Sequence, residues 1–119
     1  IKVYAAEPER VDDTFRSVRS GRIEVPTRID TIADGLRTSL GGLNFPIIRS
    51  LVSEVMLASE QAIIKETSNL LHYLKSVVEP SGAVPLAALA EQQSSFQGKR
   101  VGIILSGGNL DLASFPFGA

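Results

Sequence analysis

The run Arg100-Val101-Gly102-Ile103-Ile104-Leu105 passes without a polar break into Ser106-Gly107-Gly108-Asn109. An apolar run of this length, rich in β-formers and stopped by glycines, is the pattern of a strand covered on both faces, which is how strands of a parallel sheet lie beneath helices. Two other segments have strand character: Ile1-Lys2-Val3-Tyr4-Ala5-Ala6, stopped by Glu7-Pro8, and Glu54-Val55-Met56-Leu57-Ala58. Helical sequence separates the three. Parallel neighbours need long crossovers, so the expected class is α/β, with mainly parallel strands and flanking helices.

The helices are legible from caps and periodicity. Asp12 or Asp13 can cap a short helix whose Val11, Phe15 and Val18 recur at i, i+4, i+7 before Gly21 ends it. Residues 22–45 carry Pro26, Gly35, Gly41 and Gly42 with little periodicity, which is long for a plain connector and favours a functional loop. Pro46 suits the first turn of a helix running to about Val52. Ser59 caps the longest helix, whose stripe comprises Ile63, Leu70, Leu74 and Val77, with Ile64, Leu71 and Val78 alongside. Glu79-Pro80-Ser81-Gly82 is expected to break that helix, and residues 83–90 to form another that tolerates Pro85 in its first turn. Residues 91–97 read as polar loop.

Charge and composition narrow the chemistry. Twelve Lys and Arg stand against 13 Asp and Glu, interspersed, so no basic patch is offered to nucleic acid or to an anionic membrane. No apolar stretch reaches the ~18 residues of a membrane span, and no basic leader precedes an apolar one. A cytoplasmic protein is expected. With no Cys and one His, thiolate metal sites, a Cys nucleophile and histidine clusters are excluded. His72 reads as a surface residue of the long helix. Residues 1–119 read as one partial domain, since a strand at residue 1 without an initiator Met implies upstream chain.

Ligands of open parallel sheets bind beyond the carboxyl ends of strands, which directs attention to Glu7-Pro8 and to Ser106-Gly107-Gly108-Asn109. Two glycines after a strand let backbone approach a ligand, and Ser106 offers a hydroxyl; a tight turn with Ser106 satisfying local backbone reads equally well. Leu105-Ser106-Gly107-Gly108 also resembles the signature of ABC ATPases, but no Walker sequence accompanies it. Glu7, Asp12 and Asp13 form an oxygen-rich corner that suits Mg²⁺ or Ca²⁺, or caps a helix. Glu79, beside Pro80, Ser81 and Gly82, is either a solvated helix-end residue or part of a site.

Taken in order, Ala6-Glu7-Pro8, Asp12-Asp13, Thr31-Ile32-Ala33-Asp34-Gly35-Leu36, Asn44-Phe45-Pro46-Ile47-Ile48-Arg49, Val78-Glu79-Pro80-Ser81-Gly82-Ala83 and Leu105-Ser106-Gly107-Gly108-Asn109 carry a resemblance. The chain resembles the serine/threonine dehydratase and serine racemase family of fold type II pyridoxal phosphate enzymes. The likeness spans nearly all 119 residues and corresponds to the C-terminal part of the large cofactor-binding domain. It implies that the Schiff-base lysine and glycine-rich phosphate loop lie upstream, since Lys2, Lys65, Lys75 and Lys99 lie in no family lysine motif.

The resemblance further implies that Ser106 hydrogen-bonds the pyridine nitrogen, that Gly107 and Gly108 shape the floor under the ring, and that Gly35 lines one side. Glu79 matches a family glutamate near the ring. Glu7, Asp13 and the Val11 carbonyl match a divalent-cation site for Mg²⁺, Mn²⁺ or Ca²⁺. The implied reaction is β-elimination of water from a small β-hydroxy amino acid such as threonine or serine, giving a 2-oxo acid and ammonia in a homodimeric enzyme. A hydroxyl at the ring nitrogen, unlike a carboxylate, does not hold a full positive charge there, which leaves a milder electron sink suited to prompt loss of the β-hydroxyl. Serine racemisation, or dehydration of hydroxyaspartate or a hydroxyectoine breakdown product, is the near alternative. A non-catalytic interaction or nucleotide-binding module is the alternative of a different class.

Overall fold

The computed structural model describes residues 1–117. Strand β1 (Tyr4–Pro8) pairs in parallel with β2 (Glu54–Ala58), in a register that sets Tyr4 opposite Glu54 and Pro8 opposite Ala58. Helices α1 (Asp13–Ser20) and α2 (Asn44–Leu51) lie between the strands in sequence; α3 (Glu60–Leu74) and α4 (Pro80–Glu91) follow β2. Short 3-10 turns occur at Asp34–Leu36 and Gln93–Phe96.

Alternation along the strands divides the labour of their two faces. Tyr4 and Ala6 of β1 and Met56 and Ala58 of β2 pack with Ile63 of α3 and with Val84, Ala87 and Ala88 of α4. The small side chains of α4 let it press close to the sheet. Glu7, of opposite parity, reaches the start of α1, where its carboxylate accepts the Phe15 and Thr14 amide hydrogens. The cap expected from Asp12 or Asp13 is thus supplied by the end of a strand. Asp12 holds the cap position without a capping bond and pairs with Arg16 at 2.8 Å, while Asp13 accepts the Leu40 amide at 2.9 Å.

Gly21 closes α1 with φ 77°, and the Ser59 hydroxyl caps α3 by accepting the Ala62 amide at 3.2 Å, both as the sequence indicates. Helix α3 ends at Leu74, earlier than its apolar stripe, so Leu74 and Val77 are exposed. Its last turn is closed by Lys75 in the left-handed region, φ 57°.

Other sequence expectations are corrected. The first strand lies at Tyr4–Pro8 rather than at residues 1–6, because pairing with Glu54–Ala58 sets its bounds. Helix α4 begins at Pro80, which fills the first-turn position where its missing amide costs nothing; Pro85 stands in the second turn and removes the bond to the Ser81 carbonyl. Residues 91–97 include a 3-10 turn in place of plain loop. Residues 100–105 form no strand: neither strand of the described sheet pairs with them, and Val101, Ile104 and Leu105 are exposed rather than covered.

Candidate functional site

The first turn of α4 gathers the residues singled out in the sequence. Its amino-terminal neighbour Glu79 is extended, φ −69° and ψ 157°, and binds the 106–109 segment at two points. The Glu79 amide donates to the Gly107 carbonyl at 3.2 Å, and the Asn109 amide donates to Glu79 Oε2 at 3.0 Å. Gly107 has φ 70°, and a Cβ there would fall 2.4 Å from the Glu79 carboxyl carbon. Only glycine meets both demands. A Cβ on Gly108 would stand 3.1 Å from the Val77 carbonyl oxygen.

Gly35, in the 3-10 turn, approaches the same helix start. Its amide hydrogen is shared between Asp34 Oδ1 at 2.9 Å and the Ser81 hydroxyl oxygen at 3.0 Å. A Cβ on Gly35 would lie 3.0 Å from Ser81 Oγ and 4.0 Å from Glu79 Oε1. The fold therefore brings Gly35, Glu79, Gly107 and Gly108 around one helical turn, with Ser106 adjoining. Ser106 is exposed, and its hydroxyl has no hydrogen-bond partner among the described residues.

Ser81 and Gly82 at this turn, where a Cβ on Gly82 would meet the Ser106 carbonyl, and Glu60 at the start of α3 are given no role by the sequence. Ser81 and Gly82 belong to the Glu-Pro-Ser-Gly motif, which by itself points only to a helix break. The usable signal is proline followed by two small residues, which starts a helix while leaving room for a close neighbour. Glu60 is buried at the start of α3; its Oε2 accepts the Ile32 amide at 2.8 Å, and its Oε1 is buried without a partner. A glutamate beside a Ser cap carries no sequence signal for that distant contact.

The acidic corner is a second arrangement. Glu7, Asp13 and Val11 are all buried, and the first two border a cavity of about 190 Å³ with Thr14, Leu40, Gly41 and Asn44. Burial pushes the Glu7 carboxyl up to about 7 against the opposing amide bonds, and the Asp13 charge adds to the rise. Neither carboxylate has an ion-pair partner among the described residues; Arg10 is engaged by Asp30 instead. The Val11 carbonyl likewise accepts no hydrogen bond among them. Two carboxylates outside any ion pair and an unused carbonyl are oxygen donors of the type that a hard divalent cation takes. No third His, Asp or Glu joins them among the described residues. His72 is remote in character from both arrangements: it is exposed, with Nδ1 at 2.9 Å from the Ser68 carbonyl.

Residues 1–107 match the family model described as pyridoxal-phosphate dependent enzyme. The chain belongs to this family. It is 41% identical over 116 residues to the beta-hydroxyaspartate dehydratase of Paracoccus denitrificans, covering 98% of this chain and 37% of that protein. To the serine racemase of Dictyostelium discoideum it is 46% identical over 118 residues, covering 96% of this chain and 36% of the relative. The crystal structure of a T.th. threonine deaminase superposes with a TM-score of 0.87 at 42% identity, covering 92% of this chain and 36% of that one. The chain thus spans little more than a third of the length of these relatives. Among the described residues no helix is long and apolar enough to cross a membrane.

The cofactor of the family can be tested against the site. Gly35, Gly107 and Gly108 carry no side chain where Ser81, Glu79 and the Val77 carbonyl approach them, and beside them the Ser106 hydroxyl is exposed and uncommitted. That hydroxyl is a hydrogen-bond partner of the type that a ring nitrogen takes.

Proposed function

We propose that this chain forms part of the large domain of a pyridoxal phosphate enzyme that dehydrates and deaminates a small β-hydroxy amino acid, such as threonine or serine, to a 2-oxo acid and ammonia. The observation that carries this reading is the uncommitted Ser106 hydroxyl beside Gly107 and Gly108, on a segment bound to the same helical turn as Gly35. Pyridoxal phosphate supplies an electron sink for the bond broken at the substrate α-carbon. Ser106 holds the ring nitrogen through its hydroxyl, Gly35 lines one side, and the backbone at Gly107 and Gly108 shapes the floor beneath the ring. Glu79 fixes the backbone that carries them. In this reading Glu7, Asp13 and the Val11 carbonyl hold Mg²⁺, Mn²⁺ or Ca²⁺ away from the reacting atoms, where the ion pins the start of α1, and the enzyme is a homodimer.

Two features support dehydration: the relatives include a beta-hydroxyaspartate dehydratase and a threonine deaminase, and the residue at the candidate ring-nitrogen position is a neutral hydroxyl. The serine racemase relative, at 46% identity, favours racemisation as the second reading. The test is the purified full-length protein that carries this chain, supplied with pyridoxal phosphate and separately with threonine, serine or hydroxyaspartate. Release of 2-oxo acid and ammonia in equal amounts is expected. Inversion of serine without ammonia selects the racemase, and failure to bind the cofactor removes both readings.

A further inference from the structure

The two glycine-bearing segments approach one helix from different directions. The 3-10 turn at Asp34–Leu36 reaches α4 through the Gly35 amide and the Ser81 hydroxyl, whereas the 106–109 segment reaches it through Glu79. Glu79 and Ser81 thereby stand between Gly35 and Gly107: the position of a Gly35 Cβ is 3.0 Å from Ser81 Oγ, and that of a Gly107 Cβ is 2.4 Å from the Glu79 carboxyl carbon.

The bonds made by the Gly35 amide differ in what they can fix. Asp34 is the adjacent residue and moves with Gly35, so its acceptor settles only local geometry. Ser81 is 46 residues away, on a helix that packs against the sheet through Val84, Ala87 and Ala88. Its hydroxyl is the side-chain acceptor that ties Gly35 to that helix. At the other end of the same segment, Glu60 takes the Ile32 amide at 2.8 Å and fixes the entry without reaching Gly35.

We propose that Ser81 is a positioning residue, whose hydroxyl sets the placement of Gly35 relative to the Ser106–Gly108 wall and thereby the width of the cleft in which cofactor and substrate lie. This inference rests on the function proposed above. Ala33 is buried and Leu36 packs against the core on either side of this point, whereas Gly35 itself is exposed and has no side chain, so the Ser81 bond is what fixes its own backbone to α4.

The experiment compares Ser81→Ala, Ser81→Cys and Ser81→Thr in the full-length protein, by amide hydrogen exchange of residues 32–36 with and without pyridoxal phosphate, and by kcat and KM. The thiol keeps the shape while offering a weak acceptor, so it serves if the alanine variant folds poorly. Losing one net hydrogen bond should speed exchange at Gly35 by roughly threefold to tenfold in the Ala and Cys variants. Their kcat should fall more than KM changes, with Thr restoring both exchange and kcat. Unchanged exchange and kcat in a folded Ala or Cys variant overturn the inference, as does a Thr variant that behaves like Ala. If the wild-type protein binds no cofactor, the proposed function fails by itself, while exchange in the cofactor-free protein still decides whether Ser81 holds Gly35.

Discussion

A Cβ attached to Gly82 would lie 1.8 Å from the carbonyl oxygen of Ser106. Backbone touches backbone at that point, and no side-chain rotation can relieve an added methyl group. The first turn of α4 and the segment bearing the candidate ring-nitrogen contact are therefore in direct apposition.

Gly82→Ala should displace Ser106 or the start of α4. We expect a loss of about 1–3 kcal/mol of stability, the usual cost of overpacking, and a larger relative loss of cofactor affinity. Thermal unfolding and cofactor titration of the full-length protein read the two effects. Wild-type values in both would show that the apposition yields without cost.

Ser106→Ala should lower activity while the fold survives, because the lost hydrogen bond is worth roughly 1 kcal/mol net. Ser106→Asp is the sharper variant: a carboxylate favours a protonated ring nitrogen and strengthens the electron sink, so elimination should slow relative to exchange of the substrate α-proton. The pair of rates to measure is 2-oxo acid formation and α-deuterium exchange. An unchanged ratio at full activity would leave Ser106 a turn residue.

Glu7 carries a pH signature. Its carboxyl titrates near 7 when folded against an ordinary value of 4.5, so between these values the folded chain holds a proton that the unfolded chain has released. Without added cation, the Glu7 contribution to stability should therefore fall as pH rises through that window. Divalent cations compete with the proton, so stabilisation by Mg²⁺, Mn²⁺ or Ca²⁺ should be weak below the window and strong above pH 7. Melting curves with chelator or cation at several pH values test this, with Glu7→Gln expected to abolish the cation response. A cation effect independent of pH would count against the acidic corner.

Lys75 holds a left-handed conformation, φ 57°, that glycine adopts more readily. Lys75→Gly should raise stability by about 0.5–1 kcal/mol, less whatever is contributed by the exposed bond from Lys75 Nζ to the His72 carbonyl. Chemical denaturation measures the difference, and a destabilised variant would refute the prediction.

Local chemistry makes much of this legible: Gly21 and Ser59 mark helix ends by capping, and strand-forming runs near Tyr4 and Glu54 foretell parallel pairing across a long crossover. What escapes are contacts whose partners lie far away in sequence. Glu7 caps α1 from seven and eight residues upstream, Glu60 binds Ile32 across 28 residues, and Ser81 meets Gly35 across 46. Pro85 misleads because the first-turn rule for proline applies to Pro80, which already occupies that place. Arg100–Leu105 has the composition of a strand, yet a strand requires a neighbour to receive its hydrogen bonds.

That last segment bears on how these 119 residues behave by themselves. Val101, Ile104 and Leu105 meet water, and the backbone between Arg100 and Leu105 has donors and acceptors outside any ladder. An exposed apolar segment with unpaired backbone groups can recruit another chain. Light scattering on the isolated chain should show mass growing with concentration, and charge introduced by Ile104→Lys should suppress that growth. Anyone preparing this chain by itself should meet a colloidal problem before an enzymological one.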